Sequence, residues 1–410
     1  MTTVLNDDSR PLYFSFEPRQ QVVEGSVVRI VAHDGSSEVP CWFVTKDANL
    51  TLCNEALFCL GLLPAMKMQR DLHIEGSLDA KLYDALRRLQ DIYGIWEPTY
   101  RRTQLSGAAR SLSAPSLGLG VGTFFTGGVD SYYTLIKHQS ELTHIIYVHG
   151  IDVGLADKRL RAQVSAMLER VGNDFGVKVI ELESNLRGYF EDFGLEWGRH
   201  AFGPALIAVA HLLAPDLRKI YVPSTFTYAE LIPVGSHPLV DPLWSSSRLE
   251  VVHDGCEATR IMKVQKLATS QTAMETLRVC FNNVDSNYNC GKCEKCFRTM
   301  VNLKAAGALE RCTTFPGTID LRALRRMSVI EEYERAMMLQ NLRALEGQPA
   351  ERQLYDALNK ILKRPVWQSR VNEEFWRRVR VWRRSVRRRL GLEKKYSQFE
   401  LGGNDVQPPQ

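Results

Sequence analysis

Several features that would settle a function class at once are missing from this chain. No apolar run is long enough to span a bilayer, which takes about 20 residues. The best run, Ala205 to Ala214, is broken by His211. The first ten residues, Met1 to Arg10, are polar and acidic, so no secretory leader is expected. Charge of one sign is not in large excess. The net charge of +5 over 410 residues gives no reason in itself to expect nucleic acid. The nine cysteines are not spread as the disulfide framework of a small secreted domain. The run G-x-x-x-x-G-K-[ST], which cradles phosphates in one large nucleotide-binding class, does not occur. What remains is an ordinary soluble composition, 44% hydrophobic and 24% charged, with length for two or three domains. The cytoplasm is the expected compartment.

One stretch organises the rest. The run Thr123 to Phe125 reads as the end of a buried strand, and Gly127-Gly128 follows at once. Asp130 or Ser131 then stands where a helix N-cap belongs, ahead of a helical pattern at Val129, Tyr132, Tyr133 and Ile136. The order is strand, glycine turn, helix start. Such a turn lets backbone N–H groups approach an anion, and the helix N-terminus adds donors and partial positive charge. The hydroxyls of Thr126 and Ser131 can donate to phosphate oxygens. Asp130 reads as a solvent-facing loop residue with no role in the core.

Thr126-Gly127-Gly128-Val129-Asp130-Ser131 resembles the S-G-G-x-D-S pyrophosphate loop of the ATP pyrophosphatase superfamily, with Thr126 in place of the first serine. The resemblance implies that these six residues hold the phosphates of ATP with magnesium, and that Asp130 and Ser131 serve catalysis.

From Val121 strands and helices alternate. Strands are expected at His144 to Val148, Val177 to Leu182, Lys219 to Val222 and Leu249 to Val252. Helices are expected at Asp157 to Phe175, with Leu160, Val164, Met167, Leu168 and Val171 on one face, and at His200 to Leu213. This alternation argues for a Rossmann-like α/β fold, a parallel sheet with helices on both faces. Ligands then bind beyond the carboxyl ends of the strands. His149, Gly150 and Asp152 leave the second strand at that edge; by the resemblance they border the adenosine pocket, and otherwise they are a polar turn. Arg199 could reach a phosphate or substrate carboxylate, or lie on a helix surface. The long stretch Pro223 to Ser247 reads as a substrate-facing loop, with His237 and Asp241 as its acid–base candidates. Arg260 and Lys263 share a helix face and either neutralise phosphate charge or face solvent.

Cys280, Cys290, Cys293 and Cys296 form C-x9-C-x2-C-x2-C. Four thiolates at this spacing can wrap one tetrahedral metal, with Gly291 relieving the tight turn. Zinc is the first choice and an iron–sulfur cluster the second. Cys41, Cys53 and Cys59 read as core residues.

A pyrophosphate loop followed by this cluster resembles the 7-cyano-7-deazaguanine synthase branch of the superfamily, over roughly Val121 to Cys312. In that branch the cysteines hold a structural zinc. The resemblance implies an ATP-dependent ligase. A carboxylate or amide oxygen attacks the α-phosphate, pyrophosphate leaves, and a nitrogen nucleophile displaces AMP. The partners would be a small-molecule or peptide acyl substrate and a nitrogen donor. The residues that recognise the deazapurine are not matched, so substrate identity does not carry over.

The flanks are less informative. Residues 1–105 read as a β-rich domain with one long helix, Asp79 to Tyr93, and 106–120 as a linker. Residues 121–312 form the catalytic segment, 313–400 a helical region and 401–410 a disordered end. Between Phe375 and Leu390, the apolar residues Phe375, Val379, Trp382, Val386 and Leu390 recur at helical spacing among the arginines of Arg377 to Arg389. Such a helix suits RNA, an anionic membrane surface or an acidic partner. Packing of its apolar face on the body is the favoured reading. Two other functions stay open: an RNA-modifying sulfur or nitrogen transferase using this tail, and a non-catalytic ATP-binding protein of a defence or assembly complex. A homo-oligomer is compatible with all of them.

Overall fold

The structure is a computed structural model that describes residues 10–17, 26–112, 119–283 and 286–389. The expectations for 401–410 and for Leu390 lie outside the described residues.

Ten strands join in one sheet: β1 (Leu12–Phe16), β2 (Ser26–His33), β3 (Glu38–Thr45), β4 (Leu72–Asp79), β5 (Leu105–Ser111), β6 (Gly120–Phe124), β7 (His144–His149), β8 (Lys178–Ser184), β9 (Leu217–Pro223) and β10 (Glu250–Asp254). Their order is β10-β9-β6-β7-β8-β3-β2-β1-β4-β5. The block from β10 to β8 is parallel throughout. β3, β2 and β1 attach to β8 by antiparallel pairing. β4 and β5 close the far edge in parallel. The result is a mixed α/β fold with a mostly parallel sheet.

Strand alternation explains why both faces carry helices. Ile146 and Val148 of β7, with Ile220 and Val222 of β9, enter one core together with the helices Asn54–Met68 and Phe202–Leu212. Their neighbours Ile145, Tyr147 and Tyr221 enter a second core with Val129, Tyr132, Leu160, Val164 and Leu168. A strand buried on both faces reads as a continuous apolar run, as His144 to Val148 does. The helix Lys158–Phe175 buries the stripe its periodicity defined, starts with Asp157 accepting from the Leu160 N–H, and stops at Gly176 in the left-handed conformation, φ 68°.

Three sequence expectations need correction. The helix Asn54–Met68 lies in a region read as β-rich; it is buried from Ala56 to Met66 on every side, so it carries no helical period. The linker read over 106–120 is strand β5 through Ser111, an edge strand of small and polar residues. The apolar face of the C-terminal helix Val366–Arg389 is not packed at its two large residues: Phe375 is 57% and Trp382 65% exposed. The helix meets the body through other positions. Asn372 donates to the Arg326 carbonyl at 2.9 Å, and the Arg326 guanidinium lies 5.2 Å from the Trp376 ring centroid. The side chains of Arg377, Arg380 and the arginines from 383 onward lie outside the described residues. Among the described residues no helix is long and apolar enough to cross a membrane.

β6 is the switch point of the parallel block. The chain runs from β6 to β7 and β8 on one side, then returns to β9 and β10 on the other. A crevice opens at the carboxyl ends where the order reverses, and that is where ligands bind in sheets of this kind.

Candidate active site and metal centre

Thr126 to Ser131 occupies this crevice. Gly127 takes φ 74°, a left-handed conformation that a side chain would strain, and its carbonyl accepts from the Arg278 N–H at 2.8 Å. Gly128 caps the helix Val129–Lys137 without a side chain, which leaves the first N–H groups of the helix accessible. The Ser131 hydroxyl donates to the Gly128 carbonyl at 3.1 Å and accepts from the Thr126 N–H at 3.4 Å. Ser131 therefore shapes the loop from within.

Asp130 is not a free loop residue. Its carboxylate takes the Arg260 guanidinium at 2.6 Å and the Lys263 ammonium at 3.1 Å. Both cations are buried, Lys263 to 1% side-chain exposure, and Lys263 also donates to the Ser224 carbonyl at 2.5 Å. Burial alone would raise the Asp130 carboxyl. The charges of Arg260 and Lys263 outweigh it and hold the group well below the usual carboxylate range. The pair Arg260 and Lys263 thus faces the loop, with Arg260 lining the crevice beside it.

The cavity there is lined by Thr126, Gly128, Asp130, Asp152, Thr225, Arg260, Arg278, Phe281, Lys295 and Arg298, among others. Four of these are cations and two are carboxylates, and one carboxylate, Asp130, is already paired. Arg260, Arg278 and Arg298 each keep a buried Nε with no hydrogen-bond partner among the described residues. A cavity so lined favours anions electrostatically. Its volume is about 110 Å³, below the roughly 300 Å³ where whole-ligand pockets begin. Arg278, Lys295 and Arg298 were not singled out from the sequence. Their only local signal was proximity to the cysteines.

The other candidates divide. Asp152 lines the cavity. Gly150, at φ 97°, makes the turn that brings it there; a Cβ at Gly150 would sit 2.1 Å from the Ser184 carbonyl oxygen. His149 is buried against β8, paired with Glu181 at 2.7 Å, and is not a lining residue. Arg199 is drawn to Glu97 at 2.5 Å, at the end of the helix Ala80–Trp96. His237 and Asp241 also lie off the cavity. The His237 ring accepts from the Leu239 N–H and packs edge-on against Trp96, and burial lowers its pKa, helped by His253. Asp241 is fully buried and accepts from the Ser236 hydroxyl at 2.5 Å, the His237 N–H at 3.1 Å and the His253 ring at 2.7 Å. These bonds clamp the long loop rather than face a ligand. His253, unremarked in the sequence, is the partner that makes the clamp: burial alone would lower its pKa, but hydrogen bonds with Asp241 and Cys256 push it up to about 9.

The four cysteines converge. Their sulfurs lie within 4.8 Å of one another, with Cys280–Cys293 at 4.0 Å and Cys290–Cys296 at 3.8 Å. A tetrahedral ion with Zn–S near 2.3 Å would set sulfurs about 3.8 Å apart, so the set fits such an ion. The N–H groups of Lys292 and Cys293 donate to the Cys290 sulfur at 3.4 and 3.3 Å, and Gly291 makes the turn at φ 65°. Cys293 caps the helix Glu294–Ala305, whose N-terminus favours thiolate. That helix carries Lys295 and Arg298 into the cavity, so the cysteine cluster and the cavity share a wall.

Comparison with protein-family models, curated proteins and solved structures finds no match for this chain. The reading of the site rests on its own geometry.

Two outcomes follow. Asp130→Ala leaves two buried cations without their carboxylate and should cost about 3–5 kcal/mol in a denaturation experiment, instead of leaving the fold intact. An unchanged midpoint would contradict the triad. The His253 pKa is raised on folding, so its pair with Asp241 contributes fully below pH 6.5 and is lost as pH rises through about 9. Stability should therefore fall by roughly 3 kcal/mol over that interval, and His253→Gln should flatten the profile. A wild-type profile already flat there would contradict this account.

Proposed function

We propose that this protein is an ATP-dependent ligase that forms AMP and pyrophosphate. The observation that carries the reading is the cationic cavity at the strand switch point, built on a glycine turn and an uncapped helix N-terminus. The turn and the helix supply N–H donors for phosphate oxygens. Arg278, tied by its own backbone to Gly127, and Arg260 supply the countercharge. Asp130 is occupied, so Asp152 is the cavity carboxylate left for the magnesium that accompanies ATP.

A carboxylate or amide oxygen of the substrate attacks the α-phosphorus, and the bond from that phosphorus to the bridging oxygen breaks. Pyrophosphate leaves with the bond electrons, stabilised by the arginines as its charge develops. A nitrogen nucleophile then attacks the activated carbon, AMP departs, and the nitrogen gives its proton to water. The part of this chain is positioning and charge stabilisation, which dominate phosphoryl and nucleotidyl transfer. Zinc suits the four cysteines and would act by fixing the wall that bears Lys295 and Arg298.

The test is product analysis. Incubation with Mg-ATP and a fractionated metabolite extract should give AMP and pyrophosphate in equal amounts, dependent on one fraction. Arg278→Gln should lower the rate by about a hundredfold, as loss of a transition-state donor does elsewhere. Release of ADP and phosphate would overturn the reading.

A further inference from the structure

The positive surplus of the chain is confined to its last helix. Of 52 basic and 47 acidic residues, nine arginines and two glutamates lie in Val366–Arg389, so this helix carries +7 and the rest of the chain −2. One face of the helix fixes it to the body. Ser369 is buried, Asn372 donates to the Arg326 carbonyl and to the Ser328 hydroxyl at 3.0 Å, and the Trp376 ring lies against the Arg326 guanidinium. At 3.6 residues per turn, the stripe Trp367, Val371, Phe375 and Trp382 is turned away from that face by roughly 130°. Trp367 is 65% and Val371 63% exposed, and Phe375 and Trp382 are as open. The stripe runs about 22 Å along the helix. A continuous apolar face presented to solvent marks a docking surface. Arg370 and Arg378 beside it are exposed, Arg378 pairing with Glu374 at 2.8 Å.

We propose that this face docks on an anionic lipid bilayer, with the helix lying in the plane of the headgroups. The occupant follows from charge complementarity together with the aromatic stripe. Tryptophan and phenylalanine seat their rings at the boundary of headgroups and acyl chains, and the arginine fork matches lipid phosphate. A second copy of the chain does not fit, because it would bring nine more arginines against this helix. The chain's own end does not fit either: residues 390–410 hold three acids and two lysines, too little to balance the helix. Single-stranded RNA would meet the arginines, but its bases stack on separate aromatic rings and leave an aliphatic residue such as Val371 without a partner. The helix is too charged to cross the bilayer, so it lies on the surface. This inference is independent of the ATP reading.

The experiment is flotation of the full chain with vesicles of equal parts phosphatidylglycerol and phosphatidylcholine, against vesicles of phosphatidylcholine alone. The protein should partition onto the anionic vesicles about tenfold or more over the neutral ones, and less as salt rises. Arg383→Gln with Arg384→Gln should lower the partition about twentyfold, since each charge near the surface is worth about fivefold. Trp367→Ser with Trp382→Ser should lower it about tenfold or more. The tryptophan pair should leave the thermal unfolding midpoint unchanged, because both rings are exposed. Lipids brominated on the acyl chain should quench the tryptophan emission of the wild type, and quench the tryptophan variant less. Flotation with neither kind of vesicle, or flotation unaffected by the tryptophan substitutions, would overturn the proposal. A lowered midpoint in the tryptophan variant would mean that the chain itself covers the stripe, and would overturn it too. Binding of single-stranded RNA that needs both tryptophans, without flotation, would put RNA in place of the bilayer.

Discussion

The contact of Asp130 with Arg260 and Lys263 is the constraint on which the site depends. It joins three pieces of chain that are distant in sequence. Asp130 opens the helix after β6, Arg260 and Lys263 open the helix after β10, and Lys263 reaches the Ser224 carbonyl beyond β9. Two buried cations against one carboxylate leave the local charge positive. Burying such groups is expensive, and a hydrophobic trio of similar volume would stabilise the fold as well or better. What the ionic arrangement adds is a fixed loop with surplus positive charge facing a crevice. That is a requirement of anion binding, not of folding.

The four-cysteine cluster supplies the opposite wall. The helix Glu294–Ala305 is held on two sides: Cys296, Met300 and Leu303 enter the core beneath the sheet, while Phe297 and Val301 enter a third core with Leu324, Met338, Leu354, Leu358 and Ile361. The C-terminal helices, which showed no site in the sequence, therefore help to position Arg298. They also touch the loop side directly, because Gln340 accepts from the Arg260 N–H at 3.2 Å and donates to Glu230 at 2.5 Å. A single mechanical frame thus runs from the four cysteines, through one helix, to both walls of the cavity.

How much of this could be read from the residues follows from the range of the interactions. The glycine turn and the four-cysteine set are local patterns: the cysteines converge as their spacing indicated, and strand, turn and helix follow in the expected order, with Gly128 and not Asp130 or Ser131 as the helix cap. The parallel strands were clear because each carries a short apolar segment between helices of definite period. The helix Asn54–Met68 was hidden by being apolar on all sides, and β5 by small residues that mark edge strands as readily as linkers. Arg278, Lys295 and Arg298 are isolated polar residues that meet the glycine turn only through folding across more than a hundred positions, and His253 meets Asp241 by a loop that no periodicity describes. The same range defeats guesses in the other direction. Arg199 found Glu97 and Asp241 found His253, contacts that no periodicity announces.

The central claim is that the cavity between the glycine turn and the helix Glu294–Ala305 receives the phosphates of a nucleotide. A crystal structure of the protein grown with Mg-ATP or a non-hydrolysable analogue addresses it most directly. The account predicts phosphate density against the N–H groups at Gly127 to Ser131 and within hydrogen-bond reach of Arg278, with magnesium at Asp152. Phosphates bound elsewhere on the chain, with Arg260, Arg278 and Arg298 left untouched, would contradict it.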